Sequence, residues 1–328
     1  MPEPMIQVKG LRKSFTSVEA VAGISFEVAK GEIFGFLGPN GAGKTTTINM
    51  LTGLARPDAG TVTIAGIHCT DNPKAAQHLI GVVPDESNLY PELTGFENLC
   101  FCAALYGISK KDRKRRAEEL LKAFGLTEAA HRKFAAYSKG MKRKLTVAAG
   151  IIHQPAILFL DEPTTGIDVA SARHVRQLIA RLHEGGTTIF LTTHYIEEAE
   201  RLCQRIAFLV SGRIVRTDSV ANLLQPVKDH FVLHVTCAQP PPEDLLQDMA
   251  RVFGTVTFSL ENGGHLRLES RQPIRVGPLV RVLEERGVDV LEARHGRPSL
   301  EDVFVQVTGL AAEALRKERE KSGAGGSS

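Results

Sequence analysis

The stretch Ile33-Phe-Gly-Phe-Leu-Gly38-Pro-Asn40-Gly41-Ala-Gly43-Lys44-Thr45-Thr46 decides how this chain is read. Ile33 to Leu37 is a continuous apolar run of strand length, the pattern of a strand buried on both faces. It leads directly into Gly-x-x-x-x-Gly-Lys-Thr, and Thr46 to Leu54 reads as a helix. Strand, glycine-rich loop and helix in that order form the arrangement that grips a phosphate chain. The chemistry explains each residue type. Glycines let the loop curl into a nest whose backbone N–H groups point inward at phosphate oxygens. The helix that follows adds the positive end of its dipole. Lys44 supplies a mobile ammonium for β- and γ-phosphates, and the Thr45 hydroxyl can ligate Mg²⁺. The stretch predicts a mononucleotide site.

Working outward, two more buried runs appear, Ile157-Leu-Phe-Leu160 and Thr188-Ile-Phe-Leu-Thr192. Between them Val175, Leu178, Ile179 and Leu182 fall on one face of a helix expected over Val169 to Glu184. Ile6-Gln-Val8 and Ile24-Ser-Phe-Glu-Val28 alternate apolar with polar, as half-buried strands do. Buried strands alternating with amphipathic helices argue for an α/β domain with a largely parallel central sheet over residues 1–225. Within it, roughly 92–150 lacks β-branched runs, and Ala117, Leu120, Leu121 and Phe124 make a helical stripe, so this reads as a helical insertion. The basic run Lys110 to Arg116 is read as a solvated helix face, because Glu118 and Glu119 follow at once and no aromatics interleave. The second buried run ends in Asp161-Glu162. A carboxylate at that point can hold Mg²⁺, and the adjacent Glu162 can polarise an attacking water. The pair predicts hydrolysis and not mere binding.

Composition bounds the class. The chain has 328 residues, of which 43% are hydrophobic and 23% charged, which excludes disordered and fibrous classes. Forty Lys plus Arg against 37 Asp plus Glu leave a net +3, too balanced to point to nucleic acid. The richest apolar stretch, Val147 to Leu160, is interrupted by His153, Gln154 and Pro155, and no membrane span is expected. The Met1 to Ile6 segment lacks a basic flank followed by an apolar run, so no secretory signal is expected. Five cysteines, at 69, 100, 102, 203 and 237, form neither a paired framework nor a CxxC pair, and are expected as reduced thiols of an intracellular protein.

Gln225-Pro226 reads as a domain boundary. Beyond it the pattern gives a strand (His230 to Thr236), a helix (Glu243 to Ala250) and two strands (Thr255 to Leu260 and His265 to Glu269). A helix (Ile274 to Arg286) and a strand (Val288 to Ala293) complete the set. That order, βαββαβ, is the split βαβ of a ferredoxin-like α+β domain spanning 226–310. Residues 311–328 end in Lys321-Ser-Gly-Ala-Gly-Gly-Ser-Ser and read as a flexible tail. His230, His234, His265 and His295 lack ligand spacing and read as structural.

Taken together and in order, the motifs over roughly residues 5–220 resemble an ABC-type ATPase, the nucleotide-binding subunit of ATP-binding cassette transporters. Tyr137-Ser138-Lys-Gly140-Met141 stands where that family's signature should stand, and His194 follows the third buried strand like its switch histidine. Gly166-Ile-Asp168 resembles the dimer-contacting loop, and Phe15 occupies the place of the aromatic that stacks on adenine. The resemblance implies a P-loop ATPase domain with an antiparallel β subdomain. It further implies that two copies face head to tail as a homodimer, closing ATP and Mg²⁺ between them. Ser138 and Gly140 would then reach the γ-phosphate bound on the other copy, while His194 would contact the same phosphate in cis. Gly38, Asn40, Gly41, Gly43, Lys44, Thr45 and Thr46 would cradle the nucleotide; Glu162, His194 and Lys44 would carry catalysis; Thr45, Asp85 and Asp161 would hold Mg²⁺.

Two departures from the family pattern stand out. Lys139 and Met141 replace the commonest signature residues, a variation familiar among exporters of the drug and polysaccharide type. Asp85, in Val82-Val-Pro-Asp85-Glu86, stands where the family usually carries Gln. A carboxylate suits a hard cation. It also repels phosphate, at a cost of roughly 3 kcal/mol for unit charges about 5 Å apart at an effective dielectric near 20. Asp85 is expected to remain a metal-side ligand with altered Mg²⁺ dependence. Pro298-Ser-Leu-Glu-Asp-Val-Phe304 and Val307-Thr-Gly309 resemble the end of the accessory domain of daunorubicin-resistance-like exporter ATPases, and also predict a helix burying Leu300, Val303, Phe304 and Val307. The expectation is therefore an exporter ATPase at the cytoplasmic face of the cell membrane, coupled to a separate integral-membrane permease through a groove near Leu89 to Leu93. A soluble relative acting on ribosomes or DNA is the alternative, but such relatives usually carry two cassettes or a long coiled coil. A gating subunit with weak hydrolysis is the other alternative, kept open by Asp85.

Overall fold

The computed structural model describes residues 4–16, 18–69, 72–225, 231–261, 264–296 and 299–309. The expected tail and His230 lie outside them. The chain divides into two compact units, one ending at Ser219 and one spanning Val220–Gly309.

In the first unit, alternation builds an antiparallel sheet. Strands β1 (Ile6–Phe15), β2 (Val18–Val28), β4 (Ala59–Ile64) and β5 (Ile67–His68) lie in the order β2-β1-β4-β5. Ile24, Phe26 and Val28 are buried while Ser25 and Glu27 face water, as the pleat requires. The three continuous apolar runs become β3 (Ile33–Leu37), β7 (Ile157–Asp161) and β8 (Thr188–Thr193), buried at every position. With β6 (Ile80–Val83), β9 (Arg205–Val210) and β10 (Arg213–Ser219) they form a second sheet in the order β10-β9-β3-β8-β7-β6. All its pairings are parallel except that of β10 with β9. Helices α1 (Lys44–Leu51), α2 (Pro73–Gln77), α6 (Val169–Glu184) and α7 (Ile196–Leu202) connect the strands.

The two sheets share one apolar core, with an aromatic cluster between them. Phe26 of β2 stacks on Phe34 of β3 at 5.6 Å and tilts against Phe36 at 5.0 Å. Phe190 of β8 touches Phe26, Phe34, Phe36 and Phe159, all within 6 Å between centroids. Such ring pairs add to the area they bury.

The helical insertion consists of α3 (Gly95–Leu105), α4 (Lys110–Ala123) and α5 (Lys139–Ile151), with two 3₁₀ turns between α4 and α5. Thr94 and Glu97 form a capping box on α3, and Ser109 caps α4. On α4 the stripe read from sequence buries Ala117, Leu121 and the following Phe124. Its basic face is laced with acid, Arg115 pairing with Glu119 at 2.9 Å. Among the described residues no helix is long and apolar enough to cross a membrane.

In the second unit, β11 (Phe231–Cys237), β12 (Val256–Glu261), β13 (His265–Ser270) and β14 (Val290–Gly296) form an antiparallel sheet in the order β12-β13-β11-β14. The helices Glu243–Val252 and Val276–Glu285 interleave with the strands to give βαββαβ, the split arrangement expected from the sequence. Leu233, Val235, Leu266 and Leu268 of the sheet share a core with Leu245, Met249, Leu279 and Leu283 of these helices. A last helix, Leu300–Thr308, buries Leu300, Val303 and Phe304 and opens with a Ser299–Asp302 capping box. Burial pushes the Asp302 carboxyl up, but the Arg267 guanidinium at 2.9 Å and the Ser299 hydroxyl outweigh it and hold the group below its ordinary range.

Two outcomes follow. Phe190→Ala should lower the unfolding free energy of the first unit by about 3–5 kcal/mol in urea titrations, because the cavity opens where four other rings meet. Asp302→Asn should weaken the second unit by about 1 kcal/mol at neutral pH through loss of the box. A folded pKa below the unfolded one contributes stability that is full above the unfolded value and lost as pH falls through the folded pKa, so this difference should vanish there.

Candidate functional site

Register decides what meets at the carboxyl edge of the parallel sheet. Leu37 of β3 stands beside Thr193 of β8, and Asp161 of β7 beside Thr192. Val83 of β6 stands beside Leu160. The next residues along each strand, Gly38, His194, Glu162 and the Pro84-Asp85 loop, therefore leave the sheet along one edge, where open α/β sheets bind ligands.

The loop from Gly38 turns into α1 at Gly43, which caps the helix with φ 102°. A side chain there would be strained by that φ and would also collide with the carbonyl of Ala20, so the position requires glycine. Among the described residues no side chain caps α1, and a helix start left open in this way suits an anion. Lys44 is 6% exposed and reaches back along the loop. Its Nζ donates to Gly38 O at 2.8 Å and Pro39 O at 3.2 Å, and lies 3.2 Å from Glu162 Oε1. Thr45 and Asn40 are exposed at the loop surface, and Thr46 is half-buried.

Glu162 is the centre of this group. It is buried, and its backbone takes φ +47°, a left-handed conformation that costs a non-glycine residue about 1–2 kcal/mol. The surroundings hold it there: its N–H donates to Thr192 O at 3.1 Å. Its Oε2 accepts from His194 Nδ1 at 2.8 Å and from the Thr165 hydroxyl at 3.2 Å. Burial alone pushes the Glu162 carboxyl up, but the His194 hydrogen bond and the Lys44 charge outweigh it and hold the group below the ordinary glutamate value. Glu162 is thus a buried carboxylate at neutral pH. His194 is 4% exposed, and its second ring nitrogen, Nε2, is buried without a hydrogen-bond partner among the described residues. A buried orphan nitrogen beside Lys44 and Glu162 fits a group that engages a phosphate oxygen. Asp161, also buried, accepts from the Thr192 hydroxyl.

Asp85 joins this group through a residue that sequence reading did not single out. Arg143 of α5 is 6% exposed and donates to the carbonyls of Pro84, Asp85, Asp161, Glu162 and Pro163. Asp85 itself is exposed on its loop; partial desolvation still pushes its carboxyl up, the Arg143 charge opposes this, and Glu162 and Asp161 add to the rise. Glu198 of α7 is a second unforeseen group. It is 3% exposed, accepts from the Thr164 hydroxyl at 2.7 Å, and burial raises its carboxyl. One signal for Arg143 existed in the sequence: it occupies the apolar face of α5, one turn from buried Gly140 and buried Thr146 and Val147.

Ser138 and Gly140 lie at the start of α5. The Ser138 hydroxyl caps the helix by accepting from Met141 N at 3.2 Å. Gly140 packs so closely on Ser171 that a methyl group would overlap its hydroxyl. Asp168 caps α6 through Ser171 N at 2.9 Å, so these two helix starts form one surface. Phe15 ends β1 with its ring 51% exposed and Lys13 Nζ 5.4 Å from the ring centroid.

A phosphate loop, a carboxylate-ended strand and a buried acid in contact with a lysine and a histidine define a P-loop nucleoside triphosphatase. Comparison narrows the class. The ABC transporter family profile matches residues 21–165. The chain is 35% identical over 307 residues to the linearmycin resistance ATP-binding protein LnrL of Bacillus subtilis (strain 168), covering 93% of this chain and 98% of that one. It is 36% identical to the daunorubicin/doxorubicin resistance ATP-binding protein DrrA of Streptomyces peucetius, with 95% and 94% covered. It is 37% identical to the Nod factor export ATP-binding protein I of Paraburkholderia xenovorans (strain LB400), with 94% and 98% covered. Among solved structures, the ATP-binding cassette MJ0796, in a dimeric post-hydrolysis state bound to ADP and Pi, aligns with a TM-score of 0.62 at 28% identity. That alignment covers 66% of this chain and 99% of that one. The chain belongs to the ABC transporter family of ATP-binding proteins, and it is an ATPase.

Gly43→Ala should abolish nucleotide binding in titrations with a fluorescent ATP analogue while the rest of the fold is kept; affinity at the native level would contradict the loop geometry.

Proposed function

We propose that this chain is the ATP-hydrolysing subunit of an exporter, working as a head-to-tail pair of copies against a separate integral-membrane permease at the cytoplasmic face of the membrane. The observation that carries the reading is the buried Glu162 carboxylate, held between Lys44 and His194 at the end of β7. It has the charge state and enclosure that a water-orienting base needs. Three relatives whose names concern drug resistance or Nod factor export support the exporter side, and the dimeric MJ0796 cassette supports the paired arrangement.

In this reading the loop amides and Lys44 bind the phosphates, and Phe15 stacks on the adenine. Glu162 accepts the hydrogen bond of the attacking water and aims its oxygen at the γ-phosphorus, as the bond to the ADP oxygen breaks. His194 holds Glu162 through Nδ1 and leaves Nε2 for the γ-phosphate. The hydroxyl of Thr45 and the carboxylates of Asp161 and Asp85 are hard oxygen donors of the kind Mg²⁺ takes, and they would hold that ion. When bound, Mg²⁺ supplies neutralising charge to the phosphates. Ser138 and Gly140 of one copy complete the site of the other. This is positioning and charge stabilisation, the main resources of phosphoryl transfer.

The permease surface is proposed on the helical insertion. Tyr90 is 52% exposed and meets Phe101 of α3 edge-on at 5.0 Å; Leu105, one turn on from Phe101, is 70% exposed. These side chains would give the groove expected near Leu89 to Leu93 an apolar rim suited to a short permease segment. The second unit is proposed to support or regulate pairing.

Glu162→Gln should cut hydrolysis by about 100-fold or more while ATP binding persists. In sedimentation with MgATP that variant should run as a trapped dimer. Continued turnover would contradict the role of Glu162, and an ATP-loaded monomer would contradict the paired site.

A further inference from the structure

Arg143 uses every donor it has on backbone. Its Nε donates to Pro163 O at 2.8 Å, one terminal nitrogen to Pro84 O and to Asp85 O at 3.0 Å, and the other to Asp161 O at 2.6 Å and Glu162 O. Five N–H groups thus meet five carbonyls drawn from two loops, those that follow β6 and β7. Only a planar fork can span both loops in this way, and the short flexible ammonium of lysine cannot.

This grip has two consequences. The first is geometric. Glu162 is kept in a left-handed backbone conformation, and such a conformation persists only where its surroundings over-determine it. Arg143 binds the carbonyls immediately before, at and after Glu162, so it fixes the peptide planes that aim the carboxylate. The same guanidinium holds Pro84 and Asp85, so the two loops cannot shift independently.

The second consequence is electrostatic. Because its hydrogen bonds go to carbonyls, the Arg143 charge is not spent on one carboxylate. Burial lowers the Arg143 pKa, and the charges of Asp85, Asp161, Glu198 and Glu162 together oppose that fall and help to keep the guanidinium charged. Desolvation raises the Asp85 carboxyl, the charge of Arg143, whose guanidinium lies 3.0 Å from the Asp85 carbonyl oxygen, opposes that rise, and the charges of Glu162 and Asp161 add to it.

We propose that Arg143 is a positioning residue for hydrolysis, locking the Asp85 loop to the Glu162 turn and serving as the counter-charge that makes an acid at position 85 compatible with the site. This rests on the hydrolytic reading of Glu162 given above.

The test compares the full-length chain with Arg143→Lys, Arg143→Gln, Asp85→Asn and the Asp85→Asn/Arg143→Gln pair, using steady-state hydrolysis and ATP titration. Arg143→Lys keeps the charge but loses the fork, and kcat should fall roughly tenfold to a hundredfold with KM for ATP unchanged, the pattern of a misaimed catalytic group. Asp85→Asn should slow hydrolysis when Arg143 is present but raise it in the Arg143→Gln background, a reversal of sign that a purely structural arginine would not produce. Wild-type kcat in Arg143→Lys overturns the proposal, as does an Asp85→Asn effect of the same sign in both backgrounds. Loss of ATP binding together with the thermal transition in Arg143→Lys overturns it too, since the residue would then hold the fold and not the reaction. Should Arg143→Gln fail to fold, Arg143→Lys decides alone. A Glu162→Gln control separates the two claims: hydrolysis surviving in that control sinks the hydrolytic reading, whatever the Arg143 variants do.

Discussion

One carboxylate must stay charged where water scarcely reaches it, and the first unit is built around that requirement. Glu162 is 6% exposed, an environment that favours the neutral acid unless compensation is close. Compensation comes from Lys44 at 3.2 Å and His194 at 2.8 Å. Removing one partner of such a buried set leaves an uncompensated charge, which typically costs 3–5 kcal/mol. The arrangement therefore reflects chemistry more than stability: a well-packed apolar core would hold the same strands together at least as firmly.

Three pieces of chain, distant in sequence, have to deliver those charges to one point. The parallel register does this by placing Leu37, Asp161 and the Thr192-Thr193 pair side by side, so that Glu162 and His194 follow directly on their strand ends and the loop after Leu37 returns Lys44 to the same point. Doubly buried strands fix that register, because a slip of one residue would exchange the faces of every side chain. The aromatic cluster of Phe26, Phe34, Phe36 and Phe190 ties the antiparallel sheet to the same strands. Packing in the core and geometry at the edge are thus one constraint.

The sequence made this architecture legible wherever a pattern had one cause. The runs 33–37, 157–160 and 188–192 read as buried strands because both faces are covered, and Val169–Glu184 read as a helix because one face is. The ends were harder. β1 and β2 extend to Phe15 and back to Val18, through Lys9 to Ser14 and Glu19, where register shifts break the alternation and side chains face water. Helix α1 ends at Leu51 and not at Leu54, since Gly53 turns out of the helix with φ +75° and Leu54 is 68% exposed. Within the site, Lys44, Asp161, Glu162 and His194 were readable because motif spacing places them at strand ends. Thr192 and Glu198 were not, and Arg143 showed only its place on the apolar face of α5, because their partners lie from 18 to 59 residues away and only tertiary structure introduces them.

The central claim is that a working site needs halves from two copies of this chain. Complementation tests it most directly, using Lys44→Ala and Ser138→Ala chains that are each inactive alone. Mixed together, the two chains should regain turnover, because one site of each mixed pair keeps both Lys44 and the opposing Ser138, whereas a chain carrying both substitutions should rescue neither single variant beyond what dilution allows. No recovery on mixing, with pairing confirmed by sedimentation, would contradict a shared site.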